Sequence, residues 1–228
     1  MSASDHSRIT THRSRFTLPQ SRLTPHDSRL TRRFFARDAV TVAKALLGAI
    51  LVHETSDGLT SGRIVEVEAY RGPEDRAAHS YGGRRTPRNE VMYGPAGHAY
   101  VYFVYGMHYC CNVVAAAVDV PEAILIRALE PVDGVDLMRA RRGCDERTPV
   151  AALARGPANL CRAMGIDRAA NGADLLAGPL RVVRGRRVPP ARIAAAPRVG
   201  IDYAGPHARR LWRFYDDASD AVSARPRR

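Results

Sequence analysis

The sequence predicts a single domain of mixed α+β class. The chain has 228 residues, of which 45% are hydrophobic, so it can bury one sizeable core. Some runs alternate apolar and polar residues and predict strands, whereas others repeat apolar residues at helical spacing and predict helices. No segment repeats, and nothing in the sequence indicates a second core. We therefore expect both kinds of element to pack in one domain.

The two ends of the chain have the composition of solvated basic segments. Residues 1–35 contain few large apolar side chains, and Ser, Thr, His and Arg recur around Pro19 and Pro25. Such a segment buries too little apolar surface to offset the entropy of ordering. We expect a disordered basic arm over 1–35, the folded domain over 36–222 and a basic tail over 223–228.

No part of the sequence indicates secretion or a membrane span. A secretory signal needs an apolar run of roughly 7 to 15 residues near its start, and a membrane helix needs about 18. An organelle transit peptide shares the Arg- and Ser-rich composition of the arm, but the arm has no clear amphipathic stripe, which favours a solvated segment. We expect a soluble intracellular protein.

The first element of the domain is a helix over 38–47. Val42, Ala45 and Leu46 have helical apolar spacing, Asp38 is a suitable N-cap, and Gly48 can end the helix. Lys44 is the only lysine of the chain, and the other 34 of its 35 Lys and Arg residues are arginines. This preference for arginine fits a GC-rich genome and also suits phosphate binding. We expect Lys44 on the solvent-facing side of the helix.

A hairpin leads into the strand that carries the candidate chemistry. Residues 50–53 and 62–70 are β-prone, and Ser-Asp-Gly at 56–58 predicts the turn between them. Alternation places one set of side chains on one face of the second strand and another set on the opposite face. The first set is Val65, Val67 and Ala69, and the second is Glu66, Glu68 and Tyr70. A half-exposed strand with a solvated acidic side is the alternative interpretation of the same pattern.

A long loop and a second hairpin follow. Residues 71–97 are rich in Gly, Pro and Arg, which predicts an ordered loop that either wraps a phosphate backbone or is merely solvated. The runs 100–105 and 109–114 predict two strands joined near Met107, with Tyr102 roughly opposite Asn112. Further on we expect a strand over 123–128, helices over 133–142 and 156–164, and a strand or turn over 198–201.

The distribution of aromatic residues points to chemistry on a nucleobase. Seven of the nine tyrosines lie between Tyr70 and Tyr109, beside the carboxylate of Glu68, in a chain of net charge +12. Positive charge attracts phosphates, flat rings stack on bases, and a carboxylate can activate water. The four cysteines lack Cys-x-x-Cys spacing, so neither a zinc site nor a zinc-dependent deaminase is indicated, and no glycine motif predicts a nucleotide cofactor.

Five motifs, in this order and spacing, resemble the alkyladenine (3-methyladenine) DNA glycosylase family. They are Gly-Arg-Ile-Val-Glu-Val-Glu-Ala-Tyr at 62–70, Ala-Ala-His-Ser at 77–80, Thr-Pro-Arg-Asn at 86–89, Tyr-Val-Tyr-Phe-Val-Tyr-Gly-Met at 100–107 and Arg-Ala-Leu-Glu-Pro at 127–131. The similarity extends from about residue 38 to residue 215. It implies a curved, open-barrel-like antiparallel sheet surrounded by helices, with a protruding hairpin.

The resemblance also implies roles for individual residues. Glu68 would activate water, helped by Arg127 and the backbone of Val199. The flipped base would lie with Tyr70 and His79 on one side and Tyr102 on the other, near Ala77, and Asn112 would crowd the exocyclic amine of normal guanine. Tyr105, with Met107 and His108 beside it, would enter the gap in the duplex, and the loop residues Arg84, Arg85, Thr86 and Arg88 would contact the DNA backbone.

These roles describe a base-excision-repair enzyme that needs neither a cofactor nor a metal. It would flip alkylated or deaminated purines out of duplex DNA and hydrolyse their bond to deoxyribose, leaving an abasic site without strand cleavage. We expect a monomer that, if the protein is bacterial, works in the cytoplasm at the nucleoid. A non-catalytic damage-binding protein with the same pocket is the main alternative, and a general nucleic-acid binder would explain the charge but not the Glu-x-Tyr strand.

Overall fold

The computed structural model describes residues 29–104 and 106–225. Our expectations for the arm up to residue 28, for Tyr105 and for the tail from residue 226 lie outside these residues. The described helices are α1 (Arg32–Phe35), α2 (Ala39–Leu46), α3 (Val135–Arg142) and α4 (Pro157–Met164). The described strands are β1 (Ile50–Thr55), β2 (Gly58–Tyr70), β3 (Ala99–Val104), β4 (His108–Ala115), β5 (Glu122–Asp133), β6 (Leu180–Val183), β7 (Ile193–Ala196) and β8 (Arg213–Asp216).

All the described strands join one antiparallel sheet, which confirms the predicted mixed α+β class. Its main path runs β3–β4–β5–β2–β1–β6. The central strand β2 pairs with β5 along one edge, while its other edge is shared by β1 in the first half and β8 in the second. β8 pairs in turn with β7. Because two strands pair with the same edge of β2, the sheet branches there. The sheet as a whole is curled into a half-barrel.

Helices α2, α3 and α4 form where their sequence signals predict, whereas α1 lies within the segment expected to be a disordered arm. The Asp38 carboxylate accepts a hydrogen bond from Thr41 N at 3.0 Å and so caps α2. The helix predicted over 133–142 begins at Val135, because β5 continues to Asp133. Gly134 joins the two with φ of +71°, and a Cβ there would lie 2.2 Å from a backbone oxygen, so only glycine fits.

The main core lies between one face of the sheet and the helices. Val42 and Leu46 from α2 and Leu160 from α4 are fully buried there, together with Val67 of β2. Lys44 lies on the exposed side of α2, as predicted. Among the residues that the structure describes, no helix is long and apolar enough to cross a membrane.

β2 contains a bulge that changes the predicted alternation. Its pairing with β5 is irregular between Ile64 and Val67. Ile64, Val67 and Ala69 lie in the main core, whereas Val65 packs in a separate cluster. The prediction that Val65 shares a face with Val67 and Ala69 is therefore wrong, because the extra residue of the bulge turns Val65 over. Glu68 keeps its predicted face, opposite the core.

β3 and β4 form the predicted hairpin in a register that differs by two residues. Tyr102 pairs with Cys110, and Asn112 pairs with Tyr100. The prediction that Tyr102 lies opposite Asn112 is wrong, because the strands pair at Val104 and His108, which centres the turn one residue before the position predicted near Met107. Moving a turn by one residue along the chain shifts the register of a hairpin by two residues.

Both ends of the described chain pack on the domain, beyond the boundaries expected from composition. Phe35 is fully buried, and Arg29 forms a β-bridge with Val183. At the other end, Ser223 N donates to the Glu66 carboxylate at 2.6 Å. Ordered structure therefore begins before residue 36 and continues past residue 222, because a large apolar ring and a backbone donor find partners there.

Candidate active site

A cavity of about 270 Å³ lies on the face of β2 opposite the main core. β2, β3, β4 and β5 form its floor and sides, and the 71–80 loop, the start of α4 and residues 199–203 complete its walls. All eight residues for which the sequence implied a catalytic or base-binding role line it: Glu68, Tyr70, Ala77, His79, Tyr102, Asn112, Arg127 and Val199. The folded chain thus brings together residues that are up to 131 positions apart.

Glu68 is the acidic group of the cavity, and donors hold both of its carboxylate oxygens. Its Oε1 accepts a hydrogen bond from Val199 N at 2.7 Å and lies 3.2 Å from Nη1 of Arg127. Its Oε2 accepts a hydrogen bond from Tyr70 Oη at 2.9 Å. The side chain is fully buried. Burial of a carboxylate is costly unless it is paired and hydrogen-bonded, and these three donors meet that need at a residue that lines the cavity.

Arg127 joins Glu68 to a second buried glutamate. Its Nε donates to Oε1 of Glu66 at 3.1 Å, and Nη1 of Arg213 donates to the same oxygen at 2.9 Å. Burial lowers the pKa of Arg127, but the Glu68 and Glu66 carboxylates outweigh it and raise that pKa above its ordinary value. Arg127 is therefore a permanent cation, and the Glu66 carboxylate holds its guanidinium on the side away from Glu68 Oε1.

Tyr70 forms one aromatic wall beside the carboxylate. Burial, followed by the charge of Glu68, raises the pKa of the Tyr70 phenol well above its ordinary value. The phenol is therefore protonated and donates to Glu68. The Arg198 guanidinium lies 4.6 Å from the ring centroid of Tyr70, within the range of a cation–π contact.

A second aromatic wall consists of His79, Tyr100 and Tyr102. The His79 and Tyr102 rings meet edge to face with centroids 4.6 Å apart, so no base fits between them in this structure. The resemblance put His79 on the side of Tyr70, whereas in this structure the imidazole packs on Tyr102; the side of the base on which it lies stays a prediction. Nδ1 of His79 is 2.7 Å from the Tyr100 hydroxyl. Burial, and next the charge of Arg88, lowers the pKa of His79 to about 4, so its ring is neutral near pH 7.

Comparison with known proteins identifies the family of this chain. A sequence profile of the methylpurine-DNA glycosylase (MPG) family matches residues 33–220 of the chain. The chain belongs to this family. It is therefore a DNA glycosylase, an enzyme that acts on DNA by hydrolysing the bond between base and sugar.

Several bacterial relatives match nearly end to end. A protein of Clostridium acetobutylicum named as a 3-methyladenine DNA glycosylase is 50% identical over 197 residues, which cover 84% of this chain and 96% of the relative. A protein of Desulfitobacterium hafniense with the same name is 49% identical, covering 85% of this chain and 98% of its own length. One from Bacillus cereus is 47% identical, covering 83% and 96%.

Asn112 of this glycosylase lies on β4 at the floor of the cavity. Its Nδ2 donates to the backbone oxygen of Tyr100 at 2.9 Å, and the side chain is almost fully buried. The hydrogen bond fixes the amide against the neighbouring strand. A rigid polar group at this position can test the edge of a base, and the discrimination against guanine stays a prediction.

Met107 at the hairpin tip does not line the cavity, and neither do the loop residues Arg84, Arg85, Thr86 and Arg88. His108 reaches the cavity, whereas Met107 does not line it and is 69% exposed. Arg84, Arg85 and Arg88 are all exposed. Arg85 already pairs with Glu90 and Asp119, and Arg88 lies 5.4 Å from the Tyr102 ring. Thr86 is held by the Asn89 side chain. The wedge and DNA-backbone roles stay predictions.

Sequence reasoning missed several residues of the cavity. Tyr100 shares a face with Tyr102 by alternation, so the signal for it was present. Cys110 follows only from the correct hairpin register, which pairs it with Tyr102. Tyr203 lines the cavity although it is 74% exposed, and nothing in its sequence context indicates that position. Lys44 is not among the cavity residues.

Proposed function

We propose that this glycosylase excises alkylated and deaminated purines from duplex DNA and leaves an abasic site. The substrate class comprises 3-methyladenine, 7-methylguanine, hypoxanthine and 1,N6-ethenoadenine. The observation that supports it best is the Glu68 carboxylate, fully buried yet bordering a cavity walled by aromatic rings. Flipping a base costs a few kcal/mol, and stacking on an aromatic ring returns roughly 1 to 3 kcal/mol per base.

In this proposal the flipped purine stacks between Tyr70 and the wall formed by Tyr102 and His79. Cationic alkylpurines gain about 0.5 to 2 kcal/mol more from the ring faces of the tyrosines. Recognition of neutral lesions depends on shape and hydrogen bonds, and the neutral imidazole of His79 supplies both a packing surface and a hydrogen-bonding group. Asn112 excludes guanine because its fixed amide meets the exocyclic amine.

Glu68 orients the attacking water and stabilises the sugar cation. As the bond between the sugar carbon C1′ and the base nitrogen breaks, its electron pair stays on the base, and positive charge develops on the sugar. The water oxygen then bonds to C1′, and the water gives a proton to Glu68, which acts as a general base. Arg127, Tyr70 and Val199 N hold the carboxylate in place for this step. The chemistry requires no metal or cofactor.

The reaction ends at the abasic site, because strand cleavage by these enzymes needs an amine that forms a Schiff base. Lys44, the only lysine of the chain, is exposed on α2 and lies 5.0 Å from the ring of Phe214, away from the cavity. We further propose that the enzyme acts as a monomer, since one flipped base needs one cavity, and that it works in the bacterial cytoplasm at the nucleoid.

A single-turnover assay on a duplex with one hypoxanthine or ethenoadenine tests the proposal. After treatment with alkali, wild type and the control Glu54→Gln, which changes an exposed ion pair with Arg181, should give strand breaks at the lesion. Glu68→Gln should give none. If wild type gives none on these or on methylated DNA but binds lesions selectively, the protein is a damage-binding protein. Equal binding to undamaged duplex would indicate a general nucleic-acid binder.

A further inference from the structure

The segment that supplies Val199 to Glu68 is held by a buried ion pair directly beside it. Arg198 Nη1 and Nη2 donate to the two oxygens of Asp75 at 2.5 and 2.8 Å, and neither side chain is exposed to solvent. Burying two charges costs several kcal/mol per ion before their attraction is counted, so such a pair is weak evidence for added stability. Its position relative to the cavity suggests a different role.

Each end of this ion pair contacts a different wall of the cavity. Nη1 of Arg198 also donates to the backbone oxygen of Ala69 at 2.9 Å, between Glu68 and Tyr70 in β2. Oδ1 of Asp75 accepts from the backbone nitrogen of Ala77 at 3.1 Å, and Ala77 lines the cavity two residues before His79. The ion pair thus connects β2, the 71–80 loop and the 198–201 segment.

The Arg198 guanidinium also lies between two aromatic rings. It is 4.6 Å from the centroid of Tyr70 and 5.1 Å from that of Trp212. Nε of Arg198 is buried without a hydrogen-bond partner among the described residues. The Arg198 guanidinium therefore gives up one hydrogen bond at a position where it lies over the Tyr70 ring, and a planar guanidinium can stack on an aromatic ring in a way that an ammonium cannot.

We propose that Arg198, anchored by Asp75, is a positioning residue for excision. It fixes the Val199 N–H that binds Glu68, and it holds Tyr70, which binds Glu68 from the other side and stacks on the base. The inference rests on the proposed function, because it concerns the alignment of the same carboxylate. Misplacing a catalytic group by about 1 Å can cost about 100-fold in rate, so a remote change that loosens this alignment should be visible in the chemical step.

Arg198→Lys tests the proposal, because lysine keeps the charge for Asp75 but loses the planar fork and the stacking. The single-turnover excision rate at saturating enzyme should fall by about 10- to 100-fold. Affinity for the lesion duplex can be compared between the Glu68→Gln variant and the Glu68→Gln, Arg198→Lys double variant, neither of which should excise the base. This affinity should change far less than the excision rate. A purely structural role would instead lower thermal stability and leave the rate of the folded enzyme unchanged.

Arg63→Lys is the matched control, since Arg63 pairs with the fully buried Asp216 and does not line the cavity. It should lower the melting temperature without lowering the saturated rate. If Arg198→Lys behaves like this control, the proposal is wrong. If Arg198→Lys does not fold, Asp75→Asn weakens the same ion pair from its other end, and a wild-type rate for that variant would also overturn the proposal. Absence of excision by wild type would contradict the proposed function itself.

Discussion

Arg127 is the counter-ion that two buried glutamates share. It lies 3.2 Å from Glu68 and 3.1 Å from Glu66, and within the described part of the chain only Glu66 has a second arginine, Arg213, in contact. Removing it leaves the buried charge of Glu68 without a cation. The loss of stability from such a change comes mainly from the buried charge that is left unpaired and less from the lost contact itself.

We therefore predict that Arg127→Met lowers the free energy of unfolding by about 3 to 5 kcal/mol and abolishes excision. Arg181→Met, which breaks an exposed pair with Glu54, should cost about 1 kcal/mol or less. Urea unfolding measures both. Equal losses for the two variants would show that Glu68 does not depend on Arg127.

His79 should make stability depend on pH in a defined direction. Its pKa falls from the ordinary value of 6.5 to about 4 in the folded state, through burial and the charge of Arg88. As the pH falls through this window, the unfolded chain takes up a proton that the folded chain does not, so the contribution of His79 to stability is lost. Above about pH 6.5 neither state binds the proton, and the contribution is constant.

The unfolding free energy of wild type should therefore drop relative to His79→Gln between about pH 7 and about pH 4.5. Urea unfolding of both proteins at several pH values measures the difference, in which the other titrating groups cancel. A difference that is independent of pH would mean that His79 titrates alike in the folded and unfolded chains.

The elements show where local sequence patterns were sufficient and where they failed. α2, α4 and the β1–β2 hairpin follow from capping residues, apolar spacing and a turn, all of which are local. The face of Val65 depends on a bulge and the partner of Tyr102 on the exact position of a turn, and alternation alone encodes neither. The pairing of β8 with Glu68 and its neighbours joins residues far apart in the chain, and no local pattern indicates it.

The β3–β4 hairpin is the element for which the family resemblance predicts insertion into DNA. Tyr105→Ala and Met107→Ala should leave the fold intact, because Met107 is 69% exposed and the described pairing of the two strands ends at Val104 and His108. Excision at limiting enzyme should slow, since the gap left by the flipped base would be poorly filled. Val118→Ala, at another exposed apolar position, is the control. Unchanged rates for Tyr105→Ala would exclude its role as a wedge.

On the scale of the whole molecule, the sequence and the family resemblance predicted which residues line the cavity better than they predicted where the ordered chain begins and ends. The cavity residues could be predicted because motif order and residue chemistry agree at Glu68, Tyr70 and Arg127. The supports behind them could not, since Arg198 and Ser223 lie in segments without a regular pattern. Ser223 was assigned to a solvated tail, yet its backbone binds Glu66.

The single lysine leads to a prediction about the product. Wild type and Lys44→Arg should excise the base at the same rate, and neither should nick the strand before alkali is added. Borohydride added during the reaction should trap no covalent complex with DNA, because the one lysine lies outside the cavity. A trapped complex would show that another amine, or a rearranged Lys44, attacks the sugar.

The position of Lys44 also has a practical consequence. α2 packs on the core face of the sheet, and the cavity opens on the other face, so the one side-chain amine of the protein is remote from the DNA-binding chemistry. Amine-selective reagents can therefore attach a dye or a surface linker at Lys44 while the cavity remains accessible. A single-molecule experiment could follow such a labelled enzyme along DNA without the label occupying the place of the base.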